Sequence, residues 1–580
     1  MIIEKKDTFV NVGAAPCRGR PITMSMVSYA MTALTDVHDL TGNDPIVSHP
    51  RTRRPIPWAL TATLLFAGSF AYFFAFQATT TFADPDSFYH VKIAQEITEH
   101  GLVKEFPWLP LTTLADAYVD QHLLYHVFLI PFTLISSPIV GGKLATVVLA
   151  AAVVTAFAWI LRRLHIRFWA LWVAVLLMTN PFVFRMSLAK ASAPALLLLV
   201  LGVWLLFAGR LRSLGVLAFV YVWSHGGFTL LLVVASFYAL AGVIADLRSH
   251  RRWIPWRWLL DRAGHRTPAQ IVFHSTAVRA WSAVAGGTLL GIVVNPYFPT
   301  NLTFLWQQLV QIGIVNYRSV IGVGGEWYPY APLDLISNTV FVSITFLVGL
   351  ALFALHARRQ DRRSVTLLLT AVFFLALTLR SRRFVEYYVP FATLFGAYSI
   401  TIATRGFHLR AFLRRLSDFY WQRRIIATFM AVYLAIAVPT IVVRDVVSNR
   451  NSFITGFPIT KFEHAMTWLR ENSEPGSFVL HSDWDEFPIL FYHNDQNVYT
   501  AGLDATFFYV QNPERYWDWV HITSGSGVDD LLATLQNDFH ARYVFLETDH
   551  TAMDALMRAT PELTPVYADD EAHIYEVPRP

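Results

Sequence analysis

The first residues that could do chemistry are two carboxylates, Asp84 and Asp86, in the stretch Phe82–His90. They come directly after a long apolar run, which would place them at a membrane surface. There they could bind a divalent cation or act as a general base toward a lipid-anchored substrate. A structural interpretation stays open beside this one, because Asp86 or Ser87 could cap an amphipathic helix over His90–His100.

A cluster of arginines is the second chemical feature. Arg380, Arg382 and Arg383 lie between two apolar runs, and counting the runs places this arginine cluster on the outer side. That placement is contrary to the positive-inside rule, by which loops rich in Lys and Arg usually lie in the cytoplasm. Guanidinium groups bind phosphate through paired hydrogen bonds, so a phosphorylated lipid head group would stabilise them there. The alternatives are an ion pair with Glu386 or a different assignment of the spans.

Two further segments carry acids that could face a ligand. Glu326 is flanked by Gly324 and Gly325, which allow close approach to a ligand, although a surface turn explains the segment as well. The acceptor segment, defined here as Asp483, Trp484 and Asp485, follows a predicted strand; acids beside an aromatic ring suit a polar ligand. The sequence contains no glycine-rich nucleotide loop, nucleophile elbow or zinc-ligand spacing.

Membrane spans are the elements that must position these residues. Hydrophobic residues make up 54% of the 580-residue chain and charged residues 15%, against about 25% charged in soluble domains, which excludes an ordinary cytoplasmic enzyme. The single cysteine, Cys17, excludes an intrachain disulfide and a cysteine-based metal or redox site. Apolar runs approaching the roughly 20 residues of a span lie at Trp58–Gln77, Gly142–Leu161, Phe168–Phe184, Pro194–Ala208, Leu214–Trp223, Phe228–Ala245, Ala280–Val294, Leu335–Leu355, Val365–Leu379, Phe384–Ile402 and Ile425–Val443.

Basic clusters orient these runs. The positive-inside rule predicts that clusters such as Arg162/Arg163 and Arg358/Arg359 are cytoplasmic. All the clusters fall on the cytoplasmic side if eleven runs cross the membrane and the N-terminus is inside. The apolar stretch His122–Ser136 would break this parity, so we interpret it as an interfacial helix. The fold class predicted is therefore an α-helical polytopic membrane protein of about 11–13 spans, followed by an extracytoplasmic α/β domain.

The predicted domains are a cytoplasmic, disordered arm over 1–55, a transmembrane domain over 56–443 with outer loops 79–141 and 296–334, and the C-terminal domain over 444–580. That last domain has 8 Lys and Arg against 22 Asp and Glu, while the rest of the chain carries a net charge of +19.

Helices are predicted in the C-terminal domain over Lys461–Glu471 and Asp529–Phe539. Its predicted strands are Ser477–His481, Phe487–Tyr492, Asn497–Thr500, Arg542–Leu546, Thr564–Ala568 and His573–Val577.

Taken in order along the chain, these features resemble the GT-C superfamily of multispanning glycosyltransferases, and most closely the catalytic subunit of oligosaccharyltransferase. Asp84–His90 is similar to the acidic motif of the family's first loop, and Gly325–Pro329 to a late-loop motif whose Glu helps hold the metal and the acceptor. The arginine cluster falls where a family arginine meets the donor phosphate. Trp468–Asn472, Phe478–Leu480 and the acceptor segment are similar to the acceptor-recognition motif and its lead-in.

Two departures limit what the resemblance implies. The family has a second acidic pair near Arg185–Pro194, where this sequence has no acid. Lys190 or Arg185 would then carry the charge in place of a metal. The acceptor motif survives only as Asp483–Phe487, so protein N-glycosylation does not follow from the resemblance.

The resemblance implies an inverting glycosyltransferase in the plasma (inner) membrane, with a polyprenyl-phosphate or -diphosphate sugar as donor. Its acceptor would be a glycan, lipid or protein on the outer face. Asp86, in preference to Asp84, would act on the acceptor with support from Glu326, and Mn²⁺ or Mg²⁺ could bind these three. The arginine cluster would bind the donor phosphate and the acceptor segment the acceptor. A lipid-linked glycan transporter or flippase and a non-catalytic membrane scaffold are the alternative classes.

The charge distribution leads to a prediction of topology. A reporter fused after Pro580 is expected to register outside the cytoplasm, because the basic clusters anchor the other ends of the spans inside. Paired alkaline phosphatase and fluorescent-protein fusions would measure this, with a fusion after Arg359 as the cytoplasmic control. A cytoplasmic signal from the fusion after Pro580 would contradict an outer active site.

Overall fold

The computed structural model describes residues 57–135, 137–251, 275–405 and 424–580. The predicted arm over 1–55, including Cys17, lies outside these residues. From Trp58 onward the described chain forms one unit by its internal contacts.

The predicted apolar runs are all helical in the described residues, as expected where lipid leaves the backbone no partner but itself. Several runs extend by a few residues, and Trp58–Gln77 has the predicted bounds. The helices up to residue 454 are α1 (Trp58–Gln77), α2 (Asp86–His100), α3 (Thr113–Ala117), α4 (Leu123–Thr133), α5 (Pro138–Arg163), α6 (Trp169–Leu177), α7 (Asn180–Ser187), α8 (Ser192–Ala208), α9 (Leu211–Ser224), α10 (Thr229–Arg251), α11 (Thr276–Val293), α12 (Thr300–Trp306), α13 (Pro332–Asn338), α14 (Val340–Leu355), α15 (Arg362–Arg380), α16 (Val385–Ala403) and α17 (Arg424–Ile454).

Six helices in the described residues are long and apolar enough to cross a membrane, or up to eight spans if each of two bent pairs counts as one. The pair α6–α7 bends by 73° and the pair α13–α14 by 101°. Pro181, at the start of α7, lacks a backbone N–H and cannot continue the hydrogen bonding of α6. Several other apolar helices, such as the 14-residue α9, are shorter than the bilayer thickness of about 30 Å. Among the described residues, full-length spans are therefore fewer than the eleven predicted crossings.

Within the apolar stretch predicted over His122–Ser136, Leu123–Thr133 forms the short helix α4. It has 11 residues and contains Pro131 close to its end, so it is too short to span a bilayer. This length agrees with the prediction of an interfacial helix, which stays a prediction. Tyr125 and His126 are buried, and the ring of Tyr125 contacts the ring of His90 on α2 with centroids 5.3 Å apart.

The C-terminal region contains a mixed five-stranded sheet in the order β4–β3–β5–β7–β6, with β3 parallel to β4 and β5, and β7 antiparallel to β5 and β6. Helices alternate with these strands, which confirms the predicted α/β class. The strands are β3 (Phe478–His481), β4 (Val498–Tyr499), β5 (Tyr543–Glu547), β6 (Thr564–Ala568) and β7 (Ala572–Glu576), and the helices are α18 (Glu463–Asn472), α19 (Phe487–His493), α20 (Ala505–Gln511), α21 (Pro513–Thr523), α22 (Leu531–Ala533) and α23 (Thr551–Arg558).

One predicted strand is wrong. Phe487–Tyr492 forms the helix α19 rather than a strand. Pro488 occupies the first turn of this helix, where a proline is favoured because the N–H it lacks has no helical partner. The helix buries consecutive apolar side chains from Phe487 to Phe491. A short segment that is apolar on every side has no polar face from which to read a period, so it fits either element.

Two sets of contacts fasten the C-terminal domain to the first predicted outer loop. The strand β1 (Thr81–Phe82) pairs antiparallel with β2 (Phe457–Pro458), which leads into the domain. The indole N–H of Trp108 donates to the carbonyl of Asp495 at 2.7 Å, and its ring centroid lies 4.7 Å from that of Phe491. Because Asp84 is two residues beyond β1, the acidic motif is anchored directly beside this junction.

Candidate active site

A cavity of about 760 Å³ lies where the first loop, the α7–α8 connection, the α15–α16 junction and the chain after β3 converge. Helix α15 begins at Arg362 in a predicted cytoplasmic cluster and ends at Arg380 near the cavity, so the two are at opposite ends of the helix. The acidic and basic residues that line the cavity are Asp84, Asp86, Arg185, Lys190, Glu326, Arg382, Arg383, Asp483, Asp485 and Asp504.

Lys190 joins the two acids of the first loop. Its Nζ lies 2.8 Å from Oδ2 of Asp84 and 2.8 Å from Oδ2 of Asp86. The acids are also linked to each other, because the backbone N–H of Asp86 donates to Oδ1 of Asp84 at 3.0 Å. Helix α2 begins at Asp86 itself, after Pro85 and without a side-chain cap bond, so neither Asp86 nor Ser87 caps the helix as the structural interpretation supposed. Two carboxylates this close would repel each other without the ammonium group between them.

The protonation state of Lys190 follows from this arrangement. Burial alone would lower the pKa of Lys190, but Asp84 and Asp86 outweigh burial and raise the pKa above its usual value. The side chain is therefore a permanent positive charge at neutral pH. It projects from the short connection between α7 and α8, where its backbone N–H donates to the carbonyl of Leu188 at 2.8 Å.

Glu326 is the centre of a second charge cluster. Arg185 Nη1 donates to its Oε2, and Nη1 of Arg383 lies 3.4 Å from its Oε1. Nε of Arg185 also donates to Glu386 at 2.7 Å. Burial alone would raise the pKa of Glu326, but Arg383 and Arg185 outweigh it and hold the pKa well below its usual range. The hydroxyl of Ser381 donates to the Glu326 carbonyl at 2.9 Å, which fixes this loop against the α15–α16 junction.

The arginine cluster divides into two groups. Arg382 and Arg383 line the cavity, and their guanidinium carbons lie 5.6 Å and 4.3 Å from the ring centroids of Tyr330 and Trp327. Arg380 is not among the lining residues; its guanidinium donates to the backbone carbonyl of Ile314 instead. Glu386 pairs with Arg185 and with no member of the arginine cluster, so the ion pair considered as an alternative does not form.

The acceptor segment lines the side of the cavity that the C-terminal domain contributes. It follows β3 directly, and the N–H of Asp485 points to Oδ1 of Asp483 at 3.5 Å. Burial, together with the neighbouring Asp483, raises the pKa of Asp485 to about 7. Near neutral pH its carboxyl group can therefore accept or donate a hydrogen bond. By contrast, His481 is fully buried within the domain and bonds to the carbonyl of Ala501 at 2.9 Å.

The residues present do not fit the divalent cation that the family resemblance implies. Lys190 already occupies the point on which Asp84 and Asp86 converge, and Glu326 is shared by two guanidinium groups. Mg²⁺ requires free oxygen ligands at about 2.0–2.1 Å in octahedral geometry. Asp84, Asp86 and Glu326 are therefore held by cationic side chains at the position where the family resemblance implies a metal.

Comparison with known proteins identifies the fold. No protein-family model and no curated protein sequence matches the chain. The oligosaccharyltransferase of Archaeoglobus fulgidus in its apo form aligns with a TM-score of 0.57 and 13% identity, over 89% of this chain and 74% of that chain. The same type of enzyme in complex with an inhibitory peptide and a dolichol-phosphate gives 0.54 and 13%, over 90% and 74%. Arabinofuranosyltransferase AftD from Mycobacteria gives 0.52 and 13%, over 89% of this chain and 40% of that chain.

The chain is thus a multi-pass membrane protein with the GT-C fold of glycosyltransferases. Within that fold it resembles oligosaccharyltransferase, and at 13% identity the likeness is one of fold.

The cavity also contains residues that the sequence analysis missed. Asp504 caps α20 by accepting the N–H of Thr506 at 2.8 Å and lines the cavity. The sequence did contain a signal for Asp504, because an acid follows each of two predicted strands. These strands, β3 and β4, are parallel, so their carboxyl ends meet at one edge of the sheet and bring the acids together. The role of Glu386 as the partner of Arg185 had no such signal, because 201 residues separate the two.

The position of Lys190 leads to a prediction about cations. In Lys190→Ala the two acids should become a carboxylate site, and millimolar Mg²⁺ should then raise the melting temperature of the purified protein by several degrees. The wild type and the charge-preserving variant Lys190→Arg should show no such shift. Thermal unfolding in detergent, with and without Mg²⁺, measures this. An equal Mg²⁺ shift in the wild type would show that Lys190 does not exclude the cation.

Proposed function

We propose that this protein is an inverting membrane glycosyltransferase that uses a polyprenyl-phosphate or -diphosphate sugar on the outer face of the plasma (inner) membrane. The main support is the cavity, which brings two arginines, two adjoining carboxylates and an aromatic, acidic edge of a separate domain together. Dolichol-phosphate is bound in the archaeal oligosaccharyltransferase structure whose fold this chain shares. A lipid-linked donor is consistent with both observations.

The donor phosphate would bind to Arg382 and Arg383. The contact of Arg383 with Glu326 is long, at 3.4 Å, so a phosphate oxygen could take over one of its N–H donors. A phosphate gains negative charge as it leaves the sugar, and guanidinium groups already in position stabilise that charge more in the transition state than in the ground state. This difference is what accelerates the reaction.

The reaction is a displacement at the anomeric carbon of the donor sugar. The acceptor oxygen or nitrogen forms a bond to that carbon while the bond to the phosphate oxygen breaks, and the lipid phosphate leaves with the electron pair. The acceptor proton passes to the carboxylate of Asp86. Attack occurs on the face opposite the leaving group, which inverts the configuration, as for the water activated by the base of an inverting glycosidase.

Asp86 is better placed than Asp84 to be the base. Its side chain is 33% exposed against 23% for Asp84, and Asp84 is occupied by the bond from the Asp86 N–H. Lys190 would hold both carboxylates in place through its contacts at 2.8 Å. Glu326, with its pKa lowered by two arginines, would remain ionised and orient Arg185 and Arg383.

The acceptor would bind against the acceptor segment. The indole of Trp484 offers a flat apolar face, as sugar rings and peptides require. Asp485 can form hydrogen bonds to hydroxyl or amide groups in either protonation state near pH 7.

A transporter or flippase would need ionisable residues deep within its spans. Arg382 and Arg383 instead lie in the short turn between α15 and α16, and Glu326 and Asp485 lie between helices. This distribution favours chemistry at the membrane surface, and the assay described next separates an enzyme from a scaffold.

Substitution of Asp86 tests the proposed base. Asp86→Asn keeps the size of the side chain and should lower turnover by at least about 100-fold, the usual contribution of a general base, with a near-wild-type melting temperature. Asp84→Asn should have a smaller effect. Transfer of radiolabelled sugar from defined polyprenyl-linked donors by the purified protein measures both. Full activity of the Asp84→Asn/Asp86→Asn double variant, or no transfer by the wild type from any such donor, would contradict the proposal.

The division of the arginine cluster provides a matched test of donor binding. Arg382→Ala and Arg383→Ala should weaken the binding of a polyprenyl-phosphate sugar, and Lys should restore it poorly because it lacks the paired donors of arginine. Arg380→Ala is the control, since this side chain is directed to Ile314 and the variant should bind as the wild type does. Microscale thermophoresis in detergent would measure the affinities. Equal affinities for the donor in all three Ala variants would contradict the assignment of Arg382 and Arg383 to the donor site.

A further inference from the structure

Three histidines form a cluster behind the cavity. His90 lies on α2, His126 lies on α4 and His122 directly precedes α4. Their potential ligand atoms all lie within 4.8 Å of one another, and Nδ1 of His90 is 2.8 Å from Nε2 of His126. His90 and His126 are buried and His122 is half-buried. None of the three lines the cavity described above.

A buried carboxylate orients the central ring. Oδ2 of Asp120 lies 2.7 Å from Nδ1 of His126, and both side chains are fully buried. Oδ1 of the same carboxylate accepts the backbone N–H of His122 at 2.9 Å, which fixes the turn before α4. This contact suits the tautomer of His126 that donates from Nδ1 to Asp120, which leaves Nε2 facing His90 at 2.8 Å. A carboxylate behind a histidine is the usual outer shell of a metal-binding imidazole.

We propose that His90, His122 and His126 bind a transition-metal ion such as Zn²⁺. Imidazole nitrogens prefer Zn²⁺, Cu²⁺ and Ni²⁺ over Mg²⁺ or Ca²⁺. Tetrahedral coordination with Zn–N bonds of about 2.0–2.1 Å places ligand nitrogens about 3.3 Å apart. The nitrogens of His90 and His126, at 2.8 Å, would therefore separate slightly, and the more distant ligand atoms, which lie within 4.8 Å, would move closer. Water would complete the coordination.

The competing account is a hydrogen-bonded chain from Asp120 through His126 to His90 that needs no metal. That chain does not use His122, whose ring has no hydrogen-bond partner among the residues that the structure describes. A third imidazole turned toward two others is explained by a shared ion. The ring centroid of His225 is 5.1 Å from that of His122, but His225 does not belong to the group whose ligand atoms lie within 4.8 Å of one another. Its Nδ1 accepts the N–H of Gly227 at 2.7 Å.

The site would have a structural effect on the cavity. His90 is four residues after Asp86 on α2, so both lie on one face of that helix. An ion that joins His90 to α4 would fix the rotation and height of α2, and with them the position of Asp86. The metal would act at a distance from the reacting atoms, and the inference does not depend on the proposed transferase activity.

Metal binding by the full-length, tag-free protein tests the proposal. After treatment with a chelator and exchange into metal-free buffer, the protein should bind one Zn²⁺ per chain, measured by plasma mass spectrometry and calorimetry. Co²⁺ in its place should produce the intense visible absorption of a four-coordinate ion. His122→Ala should lower the affinity at least about tenfold while preserving the bonded chain and the fold, and Asp120→Asn should lower it about 10- to 100-fold.

His100→Gln is the matched control, because it changes an exposed histidine on the same helix and should leave binding unchanged. The proposal is overturned if the wild type binds no Zn²⁺ at micromolar concentration. It is equally overturned if His122→Ala and Asp120→Asn, both folded by thermal unfolding, bind Zn²⁺ as the wild type does.

Discussion

Compensation of charge inside a largely buried cavity is the constraint on which the other features depend. Asp84 and Asp86 can lie side by side because Lys190 contacts both at 2.8 Å. Glu326 and Glu386 can lie near each other because Arg185 contacts both. Removing ions from water costs free energy that only close, complementary partners offset. The last turn of α7 supplies Arg185 and the α7–α8 connection supplies Lys190, so both must keep their positions for the acids to stay paired.

This arrangement has a chemical advantage that a metal site would share. The charged groups are in place before any ligand arrives, so the reaction does not require them to reorganise. An ammonium group differs from a divalent ion in having half the charge and a covalent attachment. It cannot be lost to a chelator, and it cannot accept several new oxygen ligands. If the proposed function is correct, contact with the sugar and the phosphate would come from side chains, and the orientation of Arg382 and Arg383 would matter more.

The sequence predicted the helices well and the partners of side chains poorly. Apolar runs such as Trp58–Gln77 mark helices because lipid enforces internal hydrogen bonding. Most of the candidate site residues line one cavity. The sequence could predict this because the family resemblance assigned their loops to a single site. The direction of the Arg380 side chain and the pairing of Arg185 with Glu386 depend on tertiary packing, which a local sequence pattern does not show. The strand prediction for Phe487–Tyr492 was wrong for a related reason, because full burial removes the periodicity that distinguishes a helix from a strand.

The short ladder between β1 and β2 has a mechanical consequence. A Cβ atom on Gly456 would lie 2.1 Å from the carbonyl oxygen of Phe82, so the two segments touch backbone to backbone with no compressible side chain between them. A displacement of the C-terminal domain along this contact is transmitted to Phe82 and, within two residues, to Asp84. An acceptor that shifts the domain when it binds would therefore also move the two carboxylates. Binding of the acceptor would in this way change the position of the groups that face the donor.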